Sequence, residues 1–149
     1  LPDITTLERN LNNEGIIIRR PIAPEKSIVA SWVGQHFSEF WKNEVEVAFT
    51  RLPVTCIVAQ RGNNILGFSC YECSHKNFFG PTGVLEAEKG KGIGKVLLIK
   101  SLQGLKELGY AYAIIGGVGP AEYYQKTVGA VAIEGSEISI YQHLIRKKE

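Results

Sequence analysis

Residues 89–95 form a glycine-rich turn, Lys-Gly-Lys-Gly-Ile-Gly-Lys, and apolar residues at helical spacing follow it directly. Glycine at alternate positions keeps side chains away from the backbone, so the N–H groups stay open to a ligand. Amides at a helix start have no partner inside the helix, and the helix dipole adds partial positive charge there. Because three lysines lie in the same turn, this segment predicts a site for an anionic group, with phosphate as the leading candidate.

Two common phosphate-binding motifs fit this turn poorly. The P-loop ends in Gly-Lys-Ser/Thr, and that ending is absent here. The dinucleotide fingerprint needs its first glycine directly after a strand of a parallel βαβ unit. A nucleotide-binding function is also disfavoured because no Ser/Thr and Asp set for Mg²⁺ accompanies the turn. The sequence therefore predicts a phosphate site of another kind.

The rest of the chain mixes strand and helix patterns in one arrangement. Turn, glycine and proline signals bound strands predicted at residues 15–20, 54–60, 65–71, 78–85, 110–115, 130–133 and 138–145. Helical spacing of apolar residues predicts helices within residues 25–37, 40–49, 93–108 and 121–128, and a short helix within residues 1–14. The main order, β-α-α-β-β-β-α-β-α-β-β, predicts an α+β fold. A length of 149 residues favours one domain over residues 1–149.

Charge and hydropathy exclude two classes of partner. The net charge is only +2, which argues against a dedicated nucleic-acid binder. No run approaches the roughly 20 apolar residues that cross a bilayer, so a membrane is not an expected partner. The three cysteines are Cys56, Cys70 and Cys73. An odd number without a regular framework predicts reduced thiols and a cytoplasmic location.

Cys70 and Cys73 form a C-x-x-C pattern, which is a candidate for metal binding. We expect both on or just past a strand, where positions three apart point to opposite faces and do not easily share an ion. No second Cys/His pair completes a site, because the three histidines are scattered at His36, His75 and His143. The sequence therefore predicts no metal site.

Two separated motifs point to a family. Lys89, Gly92 and Gly94 have the spacing of an Arg/Gln-x-x-Gly-x-Gly/Ala motif, with lysine in the first position, and residues 123–130 read Tyr-Tyr-Gln-Lys-Thr-Val-Gly-Ala. Both segments resemble motifs of the GNAT superfamily of N-acetyltransferases, which use acetyl-coenzyme A. The order of predicted elements agrees over roughly residues 15–145. The resemblance implies a mixed, mostly antiparallel central sheet flanked by helices.

The resemblance also implies roles for single residues. The pantetheine arm of coenzyme A would pair with Val84 as an added strand. The N–H of Thr82 would face the thioester carbonyl and stabilise the oxyanion, and Tyr124 would protonate the departing thiolate. The diphosphate would rest on the turn, at Lys89, Gly90, Lys91, Gly92, Ile93, Gly94 and Lys95.

The resemblance leaves the general base open. Phe78, Phe79 and Gly80 stand where some members of the family have Glu or His. A water chain is one alternative, and the candidate side chains are Glu44, Glu46 and His75.

The function implied is transfer of an acetyl group from acetyl-CoA to a primary amine of a small acceptor, by direct attack and without a metal. The aromatic side chains expected on the acceptor side are Phe37, Phe40 and Trp41. Two alternatives remain: a non-catalytic module that binds or senses coenzyme A, and an acyltransferase with another acyl donor or an O-acceptor. By analogy alone, the final strands could support a homodimer.

Overall fold

The computed structural model describes residues 1–148 and contains two compact units, Leu1–Gly116 and Gly117–Glu149. The larger unit contains α1 (Thr5–Asn13), β1 (Ile16–Arg19), α2 (Lys26–His36), α3 (Glu39–Ala48), β2 (Cys56–Arg61), β3 (Asn64–Tyr71), β4 (Phe78–Val84), α4 (Ile93–Glu107) and β5 (Ile114–Ile115). The smaller unit contains α5 (Ala121–Val128). Within the described residues, no helix is both long and apolar enough to cross a membrane. A single domain over the whole chain stays a prediction.

The larger unit is built on a five-stranded sheet with the order β1-β2-β3-β4-β5. The first four strands pair antiparallel, and β4 and β5 pair parallel. Strands β2 and β3 form the predicted hairpin, which turns through Gly62 at a φ of +55°. The expectation of an α+β fold with a mixed, mostly antiparallel sheet is confirmed.

Helices cover both faces of this sheet. Alternate residues of β3 point to opposite sides: Phe68 and Cys70 belong to a buried cluster with Val33 and Val45 of α2 and α3. On the other side, the buried hydroxyl of Ser69 donates to the Leu97 carbonyl of α4 at 3.1 Å. Helix α4 therefore packs on the face that α2 and α3 leave free.

The two predicted strands nearest the carboxyl end are wrong. Residues 130–133 and 138–145 form turns and irregular backbone. The apolar residues that produced the strand pattern there are exposed, among them Val131, Ile133, Ile138, Ile140 and Ile145. An alternating pattern supplies side chains for a strand but no neighbouring strand to bond with, and here none pairs with it among the described residues. The strand predicted at residues 110–115 is reduced to Ile114–Ile115.

Candidate cofactor-binding site

The glycine-rich turn joins β4 to α4, as the resemblance implied. Gly90 and Gly92 have φ values of +86° and +94°, a region in which glycine is strongly favoured. Gly92 is the residue that precedes the helix, and α4 begins at Ile93. The prediction that this turn opens a helix is confirmed, and Ile93, Gly94 and Lys95 form the first helical turn.

The first amides of α4 are available as donors. The N–H of Val96 donates to the Gly92 carbonyl at 3.2 Å. Among the described residues, the N–H groups of Ile93, Gly94 and Lys95 have no backbone acceptor, and Gly92 supplies no side-chain cap. Three neighbouring donors at the positive end of a helix dipole suit a multiply charged anion.

Gly92 and Gly94 are needed for different reasons. At Gly92 the φ of +94° disfavours any other residue, and a Cβ there would also lie 2.6 Å from the Leu7 Cδ1 of α1. A Cβ at Gly94 would lie 3.8 Å from the Val84 Cγ2, which is an ordinary contact. The protein chain therefore leaves room at Gly94 that its own packing does not use.

The lysines of the turn are partly neutralised by neighbouring carboxylates. The Lys89 Nζ lies 2.9 Å from the Glu86 Oε2, and the Lys91 Nζ lies 2.8 Å from the Glu88 Oε1. Hydrogen bonds from Arg61, and then from Lys91, lower the pKa of Glu88 to about 2. Glu88 is therefore ionised at neutral pH, and its carboxylate offsets part of the positive charge of Lys91.

In strand β4, the main-chain N–H and C=O groups of two residues point away from β3. The N–H of Leu85 donates to the Leu66 carbonyl at 2.9 Å, which marks a hydrogen-bonded pair. Bonded and non-bonded pairs alternate between antiparallel strands. In this register Val84 and Thr82 occupy non-bonded positions, so their N–H and C=O groups point to the side of β5.

On that side β5 covers only the beginning of β4. Ile114 and Ile115 pair with Phe78 and Phe79, and β5 ends there. Within the described residues, no strand pairs with β4 on this side beyond Phe79. The main-chain groups of Thr82 and Val84 therefore border an open strand edge, and the glycine-rich turn follows directly along the chain.

Comparisons with solved structures give matches to acetyltransferases. No protein family model and no curated protein matches the chain. YhbS, a GNAT family N-acetyltransferase from Escherichia coli in complex with CoA, matches with a TM-score of 0.58 and 19% identity, over 76% of this chain and 67% of that one. The aminoglycoside acetyltransferase meta-AAC0020 from an uncultured soil metagenomic sample matches with a TM-score of 0.60 and 15% identity, over 93% and 99%. This chain has the GNAT fold.

Some of the matched chains are much longer than this chain. It spans 36% of a putative acetyltransferase from Pyrococcus horikoshii. It also spans 17% of a fungal multi-domain GH3 β-N-acetylglucosaminidase, whose GCN5-related glucosamine N-acetyltransferase region matches 83% of this chain with a TM-score of 0.64 and 16% identity. At such identities the likeness establishes the fold, and the activity is argued from the site.

In this GNAT fold an aromatic ring lies directly on β4 beside Thr82. A Cβ at Gly83 would lie 2.5 Å from the Cζ of Phe37. The Phe37 ring also lies 5.3 Å from the Trp41 ring, between centroids, while Phe40 is 41% exposed. Of the three aromatic residues expected on the acceptor side, Phe37 thus contacts β4. The sequence signal for this contact was a glycine inside a strand, which often marks a close approach.

Tyr124 is a buried residue of α5 in the smaller unit, with 8% of its surface exposed. Burial, and next the neighbouring Tyr123, raise the pKa of Tyr124. Its phenol therefore keeps its proton at neutral pH, as a proton donor must. Tyr123, whose ring centroid is 5.2 Å away, is 38% exposed. Burial therefore distinguishes the two adjacent tyrosines.

Glu44 and His75, two of the three general-base candidates, have side-chain contacts near the beginning of β4. Glu44 is partly buried, its burial raises its pKa, and the Ser74 hydroxyl donates to its Oε2 at 2.9 Å. Ser74 precedes β4, whereas the glycine-rich turn follows it, so this contact lies at the opposite end of β4 from the turn. The ring of His75 packs against Phe78, 5.5 Å between centroids.

The cysteine geometry corrects one expectation. Cys56 and Cys70 are direct partners on β2 and β3. Strand β3 ends at Tyr71, and Glu72 has a φ of +62°, which turns the chain before Cys73. Burial, followed by the nearby Cys56 and Cys73 thiols, raises the pKa of Cys70. Cys73 packs against the same buried cluster that contains Cys70, so the expectation that the two side chains point to opposite faces is wrong. Among the described residues, no group of three or more His, Cys, Asp or Glu side chains could hold a metal ion.

Proposed function

We propose that this protein is an N-acetyltransferase that transfers the acetyl group of acetyl-CoA to a primary amine of a small acceptor. One observation carries the proposal: the open edge of β4 at Thr82 and Val84 leads along the chain to the unpartnered amides of Ile93, Gly94 and Lys95. An open strand edge suits the peptide-like pantetheine arm. A cluster of helix N-terminal amides suits the diphosphate.

The proposed chemistry uses main-chain groups first. With the pantetheine arm along Val84, the N–H of Thr82 donates to the thioester oxygen and stabilises the negative charge that develops there. The acceptor amine attacks the carbonyl carbon and gives up one proton to water, the carbon–sulfur bond breaks, and the thiolate departs. Tyr124 donates its phenolic proton to the thiolate. Because the pKa of Tyr124 is raised, the phenol is still protonated when this step occurs. A well-placed acid of this kind contributes roughly 10²–10⁴-fold to the rate.

The class of acceptor is proposed from the acceptor side of β4 and from the matched proteins. One matched protein is an aminoglycoside acetyltransferase, and another contains a glucosamine N-acetyltransferase region. Both kinds of acceptor are small molecules with amino groups. Phe37, which contacts Gly83 next to Thr82, supplies an apolar wall for such an acceptor.

Calorimetry and a thiol-release assay test this proposal together. We expect coenzyme A and acetyl-CoA to bind with dissociation constants in the micromolar range. We also expect release of free coenzyme A when acetyl-CoA is incubated with at least one amine from a panel of polyamines, amino acids, aminoglycosides and peptide N-termini. Absence of binding at millimolar coenzyme A would overturn the proposal.

A second candidate is a module that binds or senses coenzyme A without catalysis. The residues that precede Thr82 favour it, because Phe78, Phe79 and Gly80 supply no general base where some members of the family have Glu or His. This candidate predicts the same binding and no thiol release with any amine. Propionyl-CoA, succinyl-CoA and hydroxyl acceptors, included in the same assay, separate it from an acyltransferase with another donor or acceptor.

The proposed setting of this activity is the cytoplasm. The three thiols are all free in the structure, as expected of reduced cysteines. Fractionation of cells that express the tagged protein tests the location, and sedimentation analysis tests the homodimer.

A further inference from the structure

We infer that Glu88 is a positioning residue, which holds the glycine-rich turn in its anion-binding form through an ion pair with Arg61. The inference rests on the proposed function. Arg61 is the last residue of β2, and Glu88 lies 27 residues farther along the chain, just before the turn. The two Nη atoms of Arg61 donate to the two carboxylate oxygens at 3.1 and 3.3 Å. Two parallel hydrogen bonds fix direction as well as distance.

A second cation completes the arrangement from within the turn. The Lys91 Nζ lies 2.8 Å from the same Oε1 that accepts from Arg61. The side chain of Glu88 is 15% exposed, whereas that of the neighbouring Glu86 is 89% exposed. Glu88 therefore links the β2–β3 hairpin, the segment after β4 and the turn itself.

Such a link restricts a segment in which the glycines leave the backbone a wide choice of conformations. The upstream anchor of this segment is the hydrogen bond from Leu85 to Leu66, and its downstream anchor is the first turn of α4. Between these anchors lie Gly90 and Gly92, both with positive φ. Glycine gives the backbone the widest choice of conformations. Glu88 lies between the upstream anchor and the glycines, where a tether restricts that choice most.

Two effects of the Glu88 carboxylate oppose each other. Its negative charge close to a diphosphate site would weaken anion binding by repulsion. Its ion pairs would strengthen binding by fixing the amides of Ile93, Gly94 and Lys95 in one direction. Two cations share this single carboxylate, so positive charge remains and the repulsion is offset. We therefore expect positioning to exceed repulsion.

The substitution Glu88→Gln shows which of the two effects is larger, because it keeps the shape of the side chain and removes its charge. We expect the dissociation constant of coenzyme A, measured by calorimetry, to rise about tenfold through loss of preorganisation. We expect KM for acetyl-CoA to rise in parallel while kcat stays within about twofold, since the chemistry at Thr82 and Tyr124 is untouched. Unchanged or tighter binding by E88Q would overturn the inference.

Two further variants make the test specific. Glu86→Gln removes the neighbouring exposed ion pair to Lys89, and we expect it to bind coenzyme A as the wild type does. Arg61→Gln should weaken binding as E88Q does, and the R61Q/E88Q double variant should bind no more weakly than either single variant, because the two residues act as one unit. If the fold-losses in coenzyme A affinity of the two single variants multiplied in the double variant, the two residues would act independently, which would contradict the pairing.

The outcome is distinguishable from failure of the proposed function. A wild type that does not bind coenzyme A removes the proposed function itself. A wild type that binds, together with a folded E88Q variant that binds equally well, removes only the role of Glu88. If E88Q unfolds, coenzyme A binding by R61Q and by E86Q is compared instead. R61Q removes the ion pair to Glu88, whereas E86Q changes the same segment and leaves that ion pair intact, so equal binding by R61Q and E86Q would overturn the inference.

Discussion

Phe37 and Gly83 are in such close contact that a Cβ at residue 83 would lie 2.5 Å from the ring's Cζ and 2.6 Å from its Cε1. The loop between α2 and α3 thereby contacts the middle of the open part of β4. The same contact places an aromatic wall beside the main chain of Thr82, where the proposed oxyanion donor lies.

This contact predicts that Gly83→Ala destabilises the fold. The added methyl displaces the Phe37 ring, which packs against the buried cluster, and overpacking of this kind costs about 1–3 kcal/mol in free energy of unfolding. Urea denaturation followed by tryptophan fluorescence measures the loss. The double variant G83A/F37L, with a smaller side chain at 37, should recover part of it. An unchanged free energy of unfolding in G83A would contradict this prediction, because it would mean that the Phe37 ring can move aside without cost.

Gly94→Ala should separate binding from stability. A Cβ there makes only an ordinary contact with Val84, at 3.8 Å, so we expect a melting temperature equal to or above that of the wild type. We expect weaker binding of coenzyme A, because the methyl group narrows the approach to the first amides of α4. The matched variant Gly92→Ala should unfold at a lower temperature, since its Cβ meets Leu7 at 2.6 Å and its φ is +94°. If G94A and wild type bound coenzyme A with equal affinity, a close approach of coenzyme A to Gly94 would be excluded.

Tyr124→Phe should reduce kcat and leave the binding of coenzyme A nearly unchanged. The hydroxyl is the proposed donor to the thiolate, and its loss should lower kcat by roughly 10²-fold or more. Tyr123→Phe is the matched control on the same helix, and it should retain wild-type kcat. Steady-state thiol release with a saturating acceptor gives both values. A normal kcat in Y124F would remove this tyrosine from the mechanism.

The Glu88 ion pairs should make stability depend on pH in the acid range. The pKa of Glu88 is lowered from its ordinary 4.5 to about 2, so the native state holds the ionised form more tightly than the unfolded state does. The resulting stabilisation is fully present above 4.5 and is lost as the pH falls toward 2. We expect the melting temperature of wild type to exceed that of E88Q at pH 6, with the difference shrinking below pH 4.5. If the difference in melting temperature between wild type and E88Q stayed constant from pH 6 to well below pH 4.5, the lowered pKa of Glu88 would not be the source of the stabilisation.

Local sequence patterns were sufficient for the elements that depend on near neighbours in the chain. The glycines and apolar spacing of residues 89–108 predicted a turn and a helix, and both are present at Gly90–Gly92 and in α4. The hairpin of β2 and β3 was likewise predicted from its turn residues and is present. In these cases the backbone conformation follows from residues a few positions apart.

Contacts distant in sequence were beyond such patterns. The strands predicted at residues 130–133 and 138–145 do not form, because a strand exists only where another strand offers its hydrogen bonds. Cys73 packs against the cluster that contains Cys70 after a turn at Glu72, and glycine and proline signals did not indicate the positive φ of that residue. The pairing of Arg61 with Glu88 joins residues 27 positions apart, and periodic patterns of neighbouring residues do not indicate a contact at that separation.

The sequence by itself determined that a glycine-rich helix start would present free amides, because that property depends on the φ angles and on the missing side chains of adjacent residues. Only the tertiary structure decided which main-chain groups border it. The open edge at Thr82 and Val84 follows from the register of β4 against β3 and from the early end of β5, and a shift of one residue would turn these groups toward β3 instead.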